Sequence, residues 1–192
     1  MAGSWRETVE GLHRLLTAVV FTDRRGHEVD PETGFAQWTA LGRELRERRR
    51  TAFLIGNGAS ASMASHFSAD LAKNAHVHTE VFTDLSLITA ISNDMGYEHV
   101  YAEPLKRRGQ RGDLLVAISS SGRSPNIRAA TAVARATELA IVTLSAMSPD
   151  NPLRGEGDLN VFLDCRTYGE AETGHAAILH HWMDRMAEGY ST

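Results

Sequence analysis

The sequence predicts an α/β chain: a five-stranded parallel sheet sandwiched by helices, with an N-terminal helical extension. Three observations carry this. Short, nearly continuous apolar runs recur from residue 52 to residue 164. Polar stretches long enough for a helix separate several of them. Turn residues bound them. Strands that are apolar along their whole length are buried on both faces, as parallel strands beneath crossover helices are.

The elements follow in order. Trp5, Val9, Leu12, Leu16 and Val19 recur at helical steps and predict an amphipathic N-terminal helix. The polar stretch TDRRGHEVDPETG, residues 22–34, reads as a loop. A second helix, from about Phe35 to Arg49, carries Phe35, Trp38, Leu41 and Leu45 on one face. The strands are then AFLI (52–55), EVFTD (80–84), LLVAIS (114–119), AIVTLS (140–145) and NVFLD (160–164). A third helix begins near Ser60, with Met63, Phe67 and Leu71 facing the sheet. The last helix runs from near Glu170 to about Glu188. It carries two stripes, Ile178/Trp182/Met186 and His175/Leu179/Met183. The terminal helices are more apolar than one small sheet needs, so burial against a second subunit is expected.

The chain has 192 residues, 42% of them hydrophobic, which suits one domain, residues 1–192. Residues 1–50 read as helices used in oligomerisation, and 51–192 as the α/β core with its C-terminal helix. A net charge of −4 argues against a nucleic-acid binder. The basic run RELRERRR (43–50) has glutamates interleaved and reads as a solvated helix end. The lone cysteine, Cys165, excludes an internal disulfide and points to a cytoplasmic chain. The N-terminus lacks the basic and apolar regions of a signal peptide, and no apolar stretch is long enough to span a membrane.

Two loops carry the chemistry, both at carboxyl ends of predicted strands, where ligands of such sheets bind. The first is Gly56-Asn57-Gly58-Ala59, followed by Ser60 at a helix start. Glycines admit close backbone approach, and a helix N-terminus offers free N–H groups to an anion. The same letters satisfy the loose dinucleotide pattern G-x-G-x-x-A, with Ala61 in third place and Asp84 as a possible ribose partner. The second loop, Ser119-Ser120-Ser121-Gly122-Arg123-Ser124-Pro125-Asn126, clusters four serines in six positions. Their hydroxyls and nearby N–H groups can wrap a phosphate monoester; a serine-rich capped turn is the plainer alternative. No Walker lysine accompanies either loop, which argues against a nucleoside triphosphate.

His66 and Asp70 lie one turn apart on helix three, beside its core stripe. Such a pair can hold a metal, orient a base, or be an ordinary surface pair. The last helix offers Glu172, His175, His180 and His181, with Glu172 and His180 two turns apart and offset by about 80°. His76 and His78, in NAHVHTE, read as flanking a strand.

GNGAS, HFSAD, LITAISND, GDLLVAISSSGRSPN and the terminal H-x₄-H helix together resemble the sugar isomerase (SIS) domain, and within it the phosphoheptose isomerase group. The resemblance covers nearly the whole chain. It implies the SIS-type, flavodoxin-like fold and interconversion of sedoheptulose 7-phosphate with an aldoheptose 7-phosphate. It further implies a homotetramer with active sites between subunits. The phosphate would sit on Ser119, Ser120, Ser121 and Ser124, with Ser60 and the Asn57–Gly58 turn nearby, and Asp94 would contact substrate hydroxyls. A zinc ion, carried by several members, would fall to His66, Asp70, Glu172 and His180. The chain departs from the family's pattern at three positions. Asp70 stands where the family has the glutamate taken as general base, Glu172 replaces a glutamine, and Asn74 replaces an arginine, with Lys73 adjacent.

The expected reaction is aldose–ketose isomerisation through a cis-enediol. Asp70 or Glu172 is the base, His180 the acid, and His66 a ligand or orienter. Two alternatives stand beside it. One is isomerisation of a longer ketose phosphate, such as an octulose 8-phosphate. The other is a non-catalytic SIS module for sugar-phosphate sensing or assembly, which would have no reason to keep these four residues together. A dinucleotide-binding domain rests on the glycine pattern alone.

Overall fold

The structure is a computed structural model describing residues 4–188. Among the described residues, seven strands form one sheet: β1 (Val20–Asp23), β2 (Glu28–Val29), β3 (Thr51–Gly56), β4 (His78–Glu80), β5 (Leu114–Ser119), β6 (Ala140–Ala146) and β7 (Leu159–Leu163). Their order is β2-β1-β7-β6-β5-β3-β4. The helices are α1 (Trp5–Thr17), α2 (Pro31–Glu47), α3 (Ala59–Ala75), α4 (Leu85–Met95), α5 (Ala102–Arg108), α6 (Pro125–Ala136) and α7 (Tyr168–Ala187).

The five parallel strands are present as β3 to β7, paired in parallel throughout. The sheet is wider than expected, because the stretch read as a loop contributes a hairpin. Asp23 folds it: its Oδ1 accepts from the N–H groups of Arg25 and His27, and Gly26 turns the chain at φ +82°. β1 then pairs antiparallel with β7 and covers that sheet edge. The second parallel strand also lies earlier than expected, at His78–Glu80 rather than 80–84. The chain leaves the sheet after Glu80 because Asp84 caps α4, accepting from Leu87 N–H at 2.8 Å. Phe82 is buried nonetheless, stacked on Phe53.

Alternation along the strands divides the core between the two faces of the sheet. Leu54, Val116 and Val142 pack with Trp38, Phe67, Leu71 and Trp182 of α2, α3 and α7. Phe53, Ile55, Leu115 and Ile141 pack with Tyr101, Leu105 and Ile127 on the other face. Both stripes expected on the last helix are buried, and Trp38 stacks on Trp182 with ring centroids 4.2 Å apart. α1 is the exception among the amphipathic helices: none of its residues is buried, and Trp5 is 80% exposed.

The chain runs from β3 outward to β4, then crosses back past β3 to β5. β3 and β5 are therefore neighbours whose connections leave in opposite directions. Their carboxyl ends meet with Gly56 opposite Ile118, opening a crevice there.

Candidate functional site

Both loops open into this crevice. A cavity of about 180 Å³ is lined by Asn57, Ser60, Ile118, Ser119, Ser120, Ser121, Ser124, Tyr168 and Glu172. No lysine, arginine or histidine is in that lining. Two helices start here without a side-chain cap, α3 at Gly58 and α6 at Ser124. In α3 the Ser60 and Ala61 N–H groups are spent on the Asn57 and Gly58 carbonyls, and in α6 Pro125 has no N–H and Ile127 N–H donates to Asn126 Oδ1, so the first turns keep the Ala59 and Asn126 N–H groups for what enters.

Backbone constraints shape the walls. Gly58 adopts φ +57° to launch α3 directly from β3. Gly56 packs against Ser60 so closely that a Cβ would lie 2.5 Å from the Ser60 carbonyl carbon. Tyr101, buried, donates its hydroxyl to the Gly56 carbonyl. Burial, with a smaller contribution from Tyr97, pushes the Tyr101 phenol up to about 12. In the serine loop Gly122 sits at φ +62°, where a Cβ would lie 1.6 Å from Asn151 Oδ1. Asn151 is buried and donates to the carbonyls of Ser120 and Ala146, tying the loop to the end of β6.

The serines differ in what they have left to give. Ser119 and Ser124 lie within hydrogen-bond reach of each other at 3.5 Å, and Ser121 Oγ accepts weakly from Arg123 N–H. Ser60 and Ser120 are buried, yet their hydroxyls bond to no other described residue. Buried hydroxyls without partners, opening on a cavity, are the donors an anion would satisfy. Arg123, the loop's cation, is drawn aside to Asp150 at 2.9 Å. Asp150 is held below the usual carboxylate range by its hydrogen bonds from Ser148 and then Arg123.

Asn57 is committed rather than free. Its amide exchanges two hydrogen bonds with Asn126, and its Oδ1 also accepts from Tyr97 at 3.3 Å. Asp94 ends α4 and is exposed, accepting from Asn93 at 2.8 Å; it does not line the cavity. Tyr97, three residues on, ties that segment to the glycine turn.

The remaining predicted residues separate into two places. His66 and Asp70 pair at 3.3 Å, and the His180 ring stands 5.7 Å from that of His66 and 4.7 Å from that of Phe67. Glu172 lies instead at the serine cavity. Eight residues of α7 separate Glu172 from His180, a rise of about 12 Å, and the two side chains face different neighbours. Among the described residues no three His, Cys, Asp or Glu side chains are grouped to hold a metal. The four residues expected to bind zinc are thus not grouped in this chain: His66, Asp70 and His180 stand near one another and Glu172 stands at the serine cavity.

Asn126, Tyr97, Tyr101, Asn151 and Tyr168 were not singled out from sequence. Asn126 stood inside the quoted serine motif. The others carry no local signal, because each acts across the fold. No helix among the described residues is long and apolar enough to cross a membrane.

Comparison with known proteins agrees with the geometry. Residues 44–146 match the model of the SIS domain family. The chain is 41% identical over 133 residues to the phosphoheptose isomerase of Alkalilimnicola ehrlichii, covering 65% of this chain and 68% of that one. It is 29% identical over 168 residues to that of Trichlorobacter lovleyi, covering 80% and 85%. The fold matches that of a phosphoheptose isomerase from Neisseria gonorrhoeae with a TM-score of 0.79 at 23% identity, over 95% of this chain and 94% of that one. This chain belongs to the SIS domain family and, within it, to the phosphoheptose isomerase group.

Proposed function

We propose that this protein interconverts sedoheptulose 7-phosphate and an aldoheptose 7-phosphate through a cis-enediol. The observation that carries the reading is the cavity of serine hydroxyls and uncapped helix starts at the switch point, with Ser60 and Ser120 unpartnered. It suits a phosphate monoester, and the relatives named phosphoheptose isomerase point to which one.

The cavity has room for the phosphate and the carbons next to it. The sugar chain then leaves by the mouth. Ser60 and His66 are separated by six residues of α3, about 9 Å of rise. That spacing suits a polyol anchored at one end by its phosphate and reacting at the other, which turns remote binding energy into alignment.

Asp70 is the group we assign as base. Starting from the ketose, it takes the proton from C1 and returns it to C2. His180 donates to the carbonyl oxygen at C2 and takes the proton from the hydroxyl at C1, so the enediol forms and collapses without free charge. His66 orients Asp70 through their pairing. Asp94 would contact substrate hydroxyls from the end of α4.

Glu172 would join the reacting end of a site shared with a second copy, since in this chain it lines the serine cavity. The exposed Trp5 and Val9 on α1 support such a homo-oligomer, with residues 1–50 contributing to it and a tetramer as the expected form. Zinc, which the resemblance implies, would need Glu172, from this chain or a second copy, brought to His66, Asp70 and His180, where it would polarise the carbonyl. A cytoplasmic setting fits the lone cysteine.

The test is proton NMR of the purified protein with sedoheptulose 7-phosphate in D₂O. Deuterium at C2 of an aldose product is the expected result. A folded protein that yields neither product nor exchange overturns the reading and favours a longer ketose phosphate or a binding role.

A further inference from the structure

We infer that Tyr168 is a substrate-positioning residue whose phenol hydroxyl donates to the phosphate at the mouth of the serine cavity. The inference rests on the reading of that cavity as the phosphate seat.

Three observations carry it. Tyr168 lines the cavity yet is 62% exposed, so it stands at the opening rather than in the wall. Its hydroxyl bonds to no other described residue. It is also the first residue of α7, a helix start held by a complete capping box. Glu170 accepts from the N–H groups of Arg166 and Thr167, each at 3.1 Å, and its own N–H donates to Thr167 Oγ1 at 3.2 Å. The side chain therefore hangs from a rigid element, as a precise contact requires.

The chemistry of the cavity gives the hydroxyl its purpose. No cation lines it, and Arg123 is committed to Asp150. Glu172, one turn along α7 from Tyr168, adds a carboxylate to the same wall. A phosphate entering here is held by neutral donors alone and faces one like charge. Each further donor then counts, because a hydrogen bond to a charged group is stronger than one between neutral groups. An aromatic ring at the mouth also excludes water from the phosphate oxygens, which strengthens every such bond.

The experiment compares wild type, Y168F and Y168A in two measurements. Inorganic phosphate is titrated calorimetrically, and steady-state kinetics are run with sedoheptulose 7-phosphate. Y168F is expected to weaken phosphate and raise KM by about threefold. Y168A, which loses the ring as well, should change both by about tenfold, with kcat held within about twofold. A merely structural role would lower kcat or stability without that split. If Y168F leaves phosphate affinity unchanged, the inference is overturned, even where KM rises or Y168A weakens binding, since the hydroxyl then does not contact the phosphate. The titration needs no turnover. A wild type inactive on sedoheptulose 7-phosphate would refute the isomerase reading, while the loss of phosphate affinity in Y168F and Y168A would still support the role of Tyr168.

Discussion

Asn57 and Asn126 exchange two amide hydrogen bonds, at 3.0 and 2.8 Å, across the gap between the glycine turn and the start of α6. Each residue follows a different strand, β3 or β5, and together they lock the two anion-facing loops into one frame. Asn126 Oδ1 also accepts from Ile127 N–H, and Asn57 Oδ1 from Tyr97.

The pair is self-complementary only as two amides. Asn126→Asp removes one donor and sets a carboxylate against Asn57 Oδ1. Asn126 is 1% exposed, so the loss should cost about 1–3 kcal/mol. Urea denaturation measures the cost, and phosphate titration should show weaker binding. Unchanged affinity would mean that the frame does not shape the cavity.

Tyr101 gives a second handle on the glycine turn. Tyr101→Phe leaves the Gly56 carbonyl without its hydroxyl donor, at about 1–2 kcal/mol. Its phenol is raised by burial to about 12, against an unfolded value near 10. The folded state thus keeps a proton that the unfolded state loses. Stability from this group is full below pH 10 and falls as pH rises toward 12. The variant should lack that alkaline component in chemical denaturation followed between pH 9 and 11.

His175 is fully buried, with Nε2 donating to the Ser145 carbonyl at 3.2 Å and Nδ1 unpartnered. Burial lowers it to about 4 from an ordinary 6.5, the hydrogen bond to Ser145 opposing in part. The unfolded state then binds a proton that the folded state refuses. Its contribution is full above pH 6.5 and is lost as pH falls toward 4, by up to about 1.4 kcal/mol per pH unit. His175→Gln should flatten that slope in denaturation curves taken from pH 7 to 4.5. A slope equal to wild type would assign the acid sensitivity to other groups.

Gly122→Ala tests the serine loop directly. The added methyl meets Asn151 Oδ1 and is strained at φ +62° besides. Breaking the Asn151 bonds to Ser120 and Ala146 should cost about 2–3 kcal/mol and weaken phosphate. Thermal unfolding, with and without phosphate, reads both effects: a lower Tm and a smaller shift on adding the ion.

Asp70→Asn should reduce turnover by at least about a hundredfold while leaving phosphate affinity near wild type. Glu172→Gln should leave proton exchange in D₂O if Asp70 is the base. Exchange lost in the second variant and kept in the first would reverse that assignment.

Much of this was readable in the sequence, and the residues say why. Apolar runs such as LLVAIS and AIVTLS are buried on both faces, so their whole length carries the signal. The β1–β2 hairpin escaped because β2 pairs only two residues and Asp23 folds it through side-chain hydrogen bonds inside a polar stretch. The two-turn separation of Glu172 and His180 could be read from their spacing, but that Glu172 faces the serine cavity and His180 the His66 ring depends on how α7 packs across the sheet.

By itself the sequence determined the five parallel strands, the covering helices, the two loops at the strand ends and the family those motifs mark. These are properties of chain neighbours, written in continuous apolar runs, a helical period of 3.6 residues and local motifs. Only the tertiary structure decided which donors are spent and which are free. Asn57 is bound by a residue 69 positions away, while Ser60 and Ser120 are left open to the cavity. Tyr168 was placed at the mouth in the same way. Hydrogen bonds between such distant positions exist only once the sheet is assembled, so no local pattern carries them.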